Sequence, residues 1–425
     1  MEAGRGTTSR QDSLLHHHDF RLFWLGQTVG RFGSSVSTVA VPLVAVSTLD
    51  AAPLLLGLLH AAAWLPWLVI GLPAGAWVDR WPRRPVMLTA NAIAMLCLLS
   101  IPLAAVLSRL TTAHLLTAIL LVGTTTVFFE TAGGAYLPSL VDKDRRQEAN
   151  AKLQGTTAAA QVVGPGAGGL IAQLFSPVTG ILADVVGYAT SFLCLARIDH
   201  RENVTPKAAT EDRSLYREIM SGKRFVVSDP YLRVFTAYSA VCNLATAGLA
   251  SMFVAFLVRE AGVPIGITGV VLAATSIGGV LGAVVAGRVT RRFGTAHGML
   301  VCVMTTMPFG LLMPLAANGP SLSLAVIGGL MVNAGVISGS VIRSSFRQNY
   351  TPAELMGRVT VTMQFLNYGA IPLGALTAGA LATSSGIRTT MWVMTTLLAL
   401  SALILLIGPA KSARDLPDHP RAVQP

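Results

Sequence analysis

Stretches of about twenty apolar residues recur along this chain, and short basic links separate them. A helical crossing of a bilayer needs roughly 20 apolar residues. Runs of that size fall at 20–48, 54–78, 86–107, 112–136, 151–174 and 177–197, then at 231–258, 266–288, 298–317, 321–343, 359–382 and 387–408. The pattern predicts an all-α membrane protein with twelve transmembrane helices, six before a polar break and six after it. Composition agrees: the chain is 52% hydrophobic and 12% charged, whereas a soluble surface needs about 25% charged residues. The four cysteines (Cys97, Cys194, Cys242, Cys302) all lie inside apolar runs without CxxC spacing, so they read as small apolar side chains.

The basic residues set the orientation. All but Arg31, Arg109, Arg259 and Arg388 of the 31 lysines and arginines fall in the termini or in alternate links. Basic residues near span ends stay on the cytoplasmic side, and an even number of spans puts both termini there. The net charge of +11 is therefore an orientation signal and calls for no nucleic-acid partner. The first nineteen residues are polar and include His16, His17 and His18; they read as a cytoplasmic lead-in, with no signal peptide. Three units are expected: a first six-helix bundle over 1–198, a linker over 199–229, and a second bundle with a tail over 230–425. The second part of the linker, Leu215 to Val227, mixes apolar and basic residues and predicts an amphipathic interfacial helix.

Two basic turns stand at matching places. The link from Gly75 to Arg84 reads GAWVDRWPRR, and a weaker copy, GRVTRRFG, runs from Gly287 to Gly294 with Arg291 where the first has Asp79. Pro165 and Pro372 also pair between the two halves. Matched links and prolines imply parallel repeats about an axis normal to the membrane.

On these residues the chain resembles the major facilitator superfamily of transporters, whose loop between helices 2 and 3 carries G-x-x-x-D-R-x-G-R-R. Gly75, Asp79, Arg80, Arg83 and Arg84 match, and Pro82 stands where the family has glycine. The resemblance implies that this loop gates the cytoplasmic side. Gly75 would let two helices close together, while Asp79 would accept from a helix N-terminus or an arginine of the other bundle. Because the second copy lacks the acid, the lock is expected to be one-sided.

The run Gly164-Pro165-Gly166-Ala-Gly168-Gly169 combines a lost backbone hydrogen bond with close packing. Within the resemblance it marks drug and metabolite antiporters, and Gly164 and Pro165 are expected to serve gating. The opening Asp19-Phe-Arg-Leu-Phe-Trp-Leu-Gly-Gln27, with Pro66, Gly71, Tyr136-Leu-Pro138 and Asn150, is similar to bacterial exporters of the drug, siderophore and macrolide type. Asn91 stands where that group has an acid early in its third span.

Buried charge is the remaining signal. Arg31, Glu130 and Asp184 lie inside spans, where an uncompensated charge costs several kcal/mol and marks function. At 1.5 Å per residue, Arg31 is about 16 Å from the cytoplasmic end of its span, Glu130 about 10 Å and Asp184 about 20 Å. All three can meet in depth. The resemblance makes spans 1, 4, 7 and 10 line a cavity, favouring Arg31 and Glu130 as cavity groups and Asp184 as structural. A carboxylate there could exchange its proton for cargo; the bland alternative is a permanent Arg31–Glu130 bridge stapling two helices. Gln27, Arg31, Ser34, Ser35 and Thr38 share one face of span 1. Gln161, Asn243, Asn333 and Asn367 are further substrate-cavity candidates, and Tyr238, Tyr368, Phe128 and Phe129 could form an aromatic wall.

No phosphate loop, metal cluster or nucleophile–base set is present in the sequence, so no cofactor, metal or enzyme activity is expected. The expected function is export of a small amphiphilic molecule (drug, siderophore or secondary metabolite) by alternating access with proton antiport. Uptake or facilitated passage is one alternative, and a non-transporting membrane sensor is another. Expected partners are the small-molecule substrate, protons and membrane lipids. The expected state is a monomer, multi-pass in the cytoplasmic membrane of a bacterium.

Overall fold

The computed structural model describes residues 14, 17–78, 80–199 and 224–417. Fourteen helices follow in order: α1 (His18–Leu43), α2 (Pro53–Val69), α3 (Gly71–Val78), α4 (Arg83–Val106), α5 (Thr112–Leu140), α6 (Arg146–Leu174) and α7 (Pro177–Ala196). After residue 229 come α8 (Pro230–Ala255), α9 (Ile265–Phe293), α10 (Thr295–Thr306), α11 (Leu322–Tyr350), α12 (Ala353–Ser385), α13 (Ile387–Ser401) and α14 (Ile404–Ile407). Among the described residues there is no strand.

Among the described residues, ten segments are long and apolar enough to cross a membrane. Two of the predicted runs fall outside that group for local reasons. The run at 54–78 breaks at Ile70, leaving α2 with 17 residues and α3 with 8. Helix α6 has 29 residues, but its apolar part is diluted by Gln161, Gly164, Pro165, Gly166, Gly168, Gly169 and Gln173. Helices also outrun the apolar stretches that predicted them, α11 continuing past 343 to Tyr350. The expected second basic loop is mostly helix: α9 continues through Arg291 and Arg292 to Phe293, and the turn is left to Gly294 at φ 85°. The predicted amphipathic helix at 215–227 lies largely outside the described residues; 224–228 is helical.

The repeat extends to a backbone detail. Helix α1 continues into a π-helical turn, Val44–Thr48, and α8 continues into another, Phe256–Glu260. Both helices have 26 residues and both turns 5.

Helices before residue 199 pack mainly on one another, as do those after 229. Where apolar tails surround a helix, small residues and close backbones supply the packing energy. A Cβ at Gly33 of α1 would fall 2.7 Å from the Ala183 carbonyl oxygen of α7, a contact no larger residue could make unchanged. The two groups meet through α6 on α9 and α2 on α12. A Cβ at Gly169 would come 2.6 Å from the Gly269 Cα, and one at Gly57 would strike the Ala375 carbonyl.

These meeting points lie at one end of the molecule, where Arg259 also bridges the groups. Its Nη1 donates to the Ala51 carbonyl at 2.8 Å and its Nη2 to the Val46 carbonyl at 3.0 Å. Nη2 lies 2.9 Å from Asp50 Oδ1. Arg388 continues the cluster, its Nη1 donating to the Pro314 carbonyl at 2.9 Å beside Glu260.

The other end carries the arginine clusters, where the hydrogen bonds of Arg84, Asp229 and Asp415 join residues of the same group. Arg84 donates to the Leu195 and Ala196 carbonyls at 2.9 and 2.8 Å, capping the C-terminus of α7, where its charge also suits the helix dipole. Asp229 caps α8 through the Tyr231 and Leu232 amides and accepts from the Tyr350 hydroxyl at 2.5 Å. The tail closes onto α10, with Asp415 accepting from the Thr295 amide at 2.8 Å.

Candidate functional site

A cavity of about 1070 Å³ lies between the two groups of helices. Most of the polar residues singled out in the sequence border it: Gln27, Arg31, Ser34, Ser35 and Thr38 from α1, Glu130 from α5, Gln161 and Pro165 from α6, and Asn333 from α11. The α1 residues converge because their helical spacing puts them on one face of that helix, while Gly33 packs on α7.

Arg31 Nη2 lies 2.6 Å from Glu130 Oε1, the pairing their depths predicted. The side chains are 39% and 32% exposed. An ion pair this exposed contributes about 0–1 kcal/mol to stability.

Asp184 departs from its expected place. It is 4% exposed, yet it borders the cavity together with Tyr188 and Ser191 of the same helix, α7. The Ser34 hydroxyl donates to Asp184 Oδ1 at 3.0 Å. The close α1–α7 approach at Gly33 brings that carboxylate to the wall. Asn91 of α4 reaches the wall too, donating to the Ser191 hydroxyl at 2.9 Å.

Asn243 and Asn367 are not on this cavity. Both line a smaller pocket of about 190 Å³ within the second group, where Asn243 Nδ2 donates to the Asn367 carbonyl at 3.4 Å. Their positions on α8 and α12 turn them toward α11 instead of the centre. Gly164 serves packing: a Cβ there would collide with Ser35 of α1.

The basic link is remote from the cavity lining. Asp79 lies outside the described residues. The close approach expected at Gly75 is not made, since nothing lies within 4 Å of a Cβ built there. Arg80 is exposed, and Arg83 and Arg84 begin α4.

Trp64 and Trp67 are the cavity aromatics that sequence reasoning missed, beside the expected Tyr368 and Phe129. Tyr368 packs against Trp64 and Trp67, ring centroids 5.8 and 5.6 Å apart, and all three border the cavity with Phe129 and His60. The signal available was the i, i+3 spacing of the tryptophans, which puts both on one face of α2. Phe128 instead stacks on Trp77 at 6.1 Å, while Tyr238 is fully buried.

Among the described residues no group of three or more His, Cys, Asp or Glu could hold a metal ion. The cavity sets the faces of Trp64, Trp67 and Tyr368 beside a carboxylate–guanidinium pair, chemistry that can hold an amphiphilic molecule.

Comparison with known proteins agrees with this architecture. The chain is 27% identical over 388 residues to the multidrug efflux pump Tap of Mycolicibacterium fortuitum, covering 88% of this chain and 90% of the relative. A bacterial homologue of the iron transporter ferroportin, solved in its inward-facing state, superposes with a TM-score of 0.75 at 16% identity, covering 93% of this chain and 99% of that one. A bacterial homologue of the human lysosomal transporter Spinster, also inward-facing, gives 0.69 at 15% identity, covering 92% and 96%. The family model for the Major Facilitator Superfamily matches residues 23–375. This chain belongs to the Major Facilitator Superfamily.

Proposed function

We propose that this chain exports a small amphiphilic molecule from the cytoplasm by alternating access, with proton antiport as the energy source. The carrying observation is the cavity of about 1070 Å³ that combines the Arg31–Glu130 pair with the Trp64, Trp67 and Tyr368 rings. Aromatic faces accept the apolar body of a cargo. The carboxylate offers a site for which a proton and a polar or cationic cargo group compete, and that competition couples their opposite movements. The relative named as a multidrug efflux pump supports the same direction and cargo class.

The proposal takes α2 with α3 as one crossing and α6 as another, giving twelve in two six-helix bundles over 1–198 and 230–425 with the linker 199–229 between them. The arginine-rich end is placed in the bacterial cytoplasm, so the bridged end faces outward and this state is open inward. Gly75, Asp79, Arg80, Arg83 and Arg84 then close the cytoplasmic side in the opposite state, while Gly164 and Pro165 let α6 move against α1. Asp184 and the polar α1 face complete the cargo site. The working unit is a monomer surrounded by lipid.

The test is transport into sealed liposomes holding the purified protein and a pH-sensitive dye. Amphiphilic fluorescent amines should accumulate against their gradient when a proton gradient is imposed, and their entry should change the luminal pH. Glu130→Gln should abolish the pH-coupled phase at unchanged protein yield. If no amphiphile in the panel moves with or without a gradient, export is the wrong reading; normal coupling in Glu130→Gln removes that carboxylate from it.

A further inference from the structure

The pocket of about 190 Å³ in the second group of helices is lined by residues of α8, α11 and α12. Two arginines, Arg343 and Arg347, stand one helical turn apart on α11 and enter it together. Like charges at that spacing repel, so their common placement needs an opposing charge. Among the described residues no Asp or Glu lines the pocket, and neither arginine joins an ion pair.

Their donors are unmet as well. Arg343 Nη1 and Arg347 Nε are buried without a hydrogen-bond partner, whereas buried polar groups are ordinarily paired. An arginine that only marks topology would extend its whole head into water, whereas both of these are half-buried. The Arg343 guanidinium is held 4.7 Å from the Tyr238 ring centroid, which fixes its plane beside the pocket. Hydroxyls of Ser239, Ser340 and Ser344 line the same space and add neutral donors.

A fork of guanidinium donors with serine hydroxyls is the chemistry that recognises an oxyanion. The volume suits one phosphate-sized group and not a whole drug-sized cargo. We propose that this pocket is an anion site in which Arg343 and Arg347 grip a phosphate-type oxyanion, supplied either by a free anion or by a lipid headgroup. Both arginines lie in the last turns of α11, at the depth where the arginine-rich end would meet headgroups. The site is separate from the Arg31–Glu130 pair, although Val336 borders both spaces. It does not depend on the export reading.

The test measures thermal unfolding of the purified full chain. One arm adds inorganic phosphate against chloride at matched ionic strength; the other compares nanodiscs of phosphatidylglycerol with phosphatidylcholine, with native mass spectrometry counting retained lipid. Ligand that binds only the folded state raises its stability by mass action. Arg343→Gln and Arg347→Gln should each weaken the protecting anion at least tenfold. Ser340→Asp keeps both arginines and places a carboxylate three residues from Arg343, so it should abolish anion protection. Protection by phosphate that Ser340→Asp removes supports a free anion; protection and retention of phosphatidylglycerol alone, also removed, support a headgroup. If neither anion protects, or if both protect Ser340→Asp as well as the parent, the proposal is overturned. Should Ser340→Asp fail to fold, Arg347→Gln decides by the same criterion.

Discussion

Removing Arg259 should loosen the bridged end far more than neutralising the acid beside it. Asp50 is 97% exposed against 26% for Arg259, so solvent screens the ion pair and its loss costs about 0–1 kcal/mol. The two carbonyl hydrogen bonds at 2.8 and 3.0 Å come from a charged donor in a partly enclosed setting, and such bonds are worth about 1.5–3 kcal/mol. Exposure and retained water contacts reduce their sum, leaving about 2 kcal/mol for Arg259→Ala. At 1.4 kcal/mol per decade, that shifts the balance between closed and open states about thirtyfold. Asp50→Asn should shift it about twofold. Hydrogen–deuterium exchange of the amides at 49–55 and 256–263 reads the difference directly. Exchange should accelerate strongly in Arg259→Ala and barely in Asp50→Asn. Equal acceleration in the two variants would refute the reasoning, because the carboxylate would then be the principal tie.

Three further outcomes are expected. Trp64→Ala removes one ring of the cluster with Tyr368, 5.8 Å away; a lost cavity aromatic is worth about 1.5 kcal/mol, so cargo binding followed by fluorescence should weaken about tenfold at normal yield. Gly33→Val forces a Cβ to 2.7 Å from the Ala183 carbonyl and should collapse folded yield in detergent size-exclusion, whereas Gly75→Val, with nothing within 4 Å, should keep it. Arg84→Ala deletes two hydrogen bonds to the end of α7 and should cost about 1–3 kcal/mol, measured as a lower thermal midpoint with cargo affinity unchanged.

Hydropathy made the helical class and most of the spans legible, because each apolar run must satisfy its backbone internally. It failed where a helix outlives its apolar stretch. The arginines of α9 and α11 lie on helix, since nothing in a polar residue at a membrane surface stops a helix, and Gly294 alone makes the turn. The Arg31–Glu130 pair was readable because one-dimensional depth along two helices sufficed. The surroundings of Asp184 were not legible because depth does not say which face a helix presents; the glycine-close approach of α1 to α7 carries it to the wall. For the same reason sequence did not show that Asn243 and Asn367 line the smaller pocket. Arg259 looked like one stray charge among few at its end. Its partners are mostly backbone oxygens, which no sequence pattern announces.

That last fact bears on how the chain can tolerate change. At the bridged end one half contributes a side chain and the other contributes carbonyls, two of them at Val46 and Ala51 around the π-helical turn. Both positions are buried, so apolar residues of similar size there present the same oxygen without disturbing the packing. Such substitutions should pass unnoticed in growth under drug pressure, while position 259 should admit almost nothing else. The fastening is written once, in a single codon, although the repeated fold supplies two places to write it.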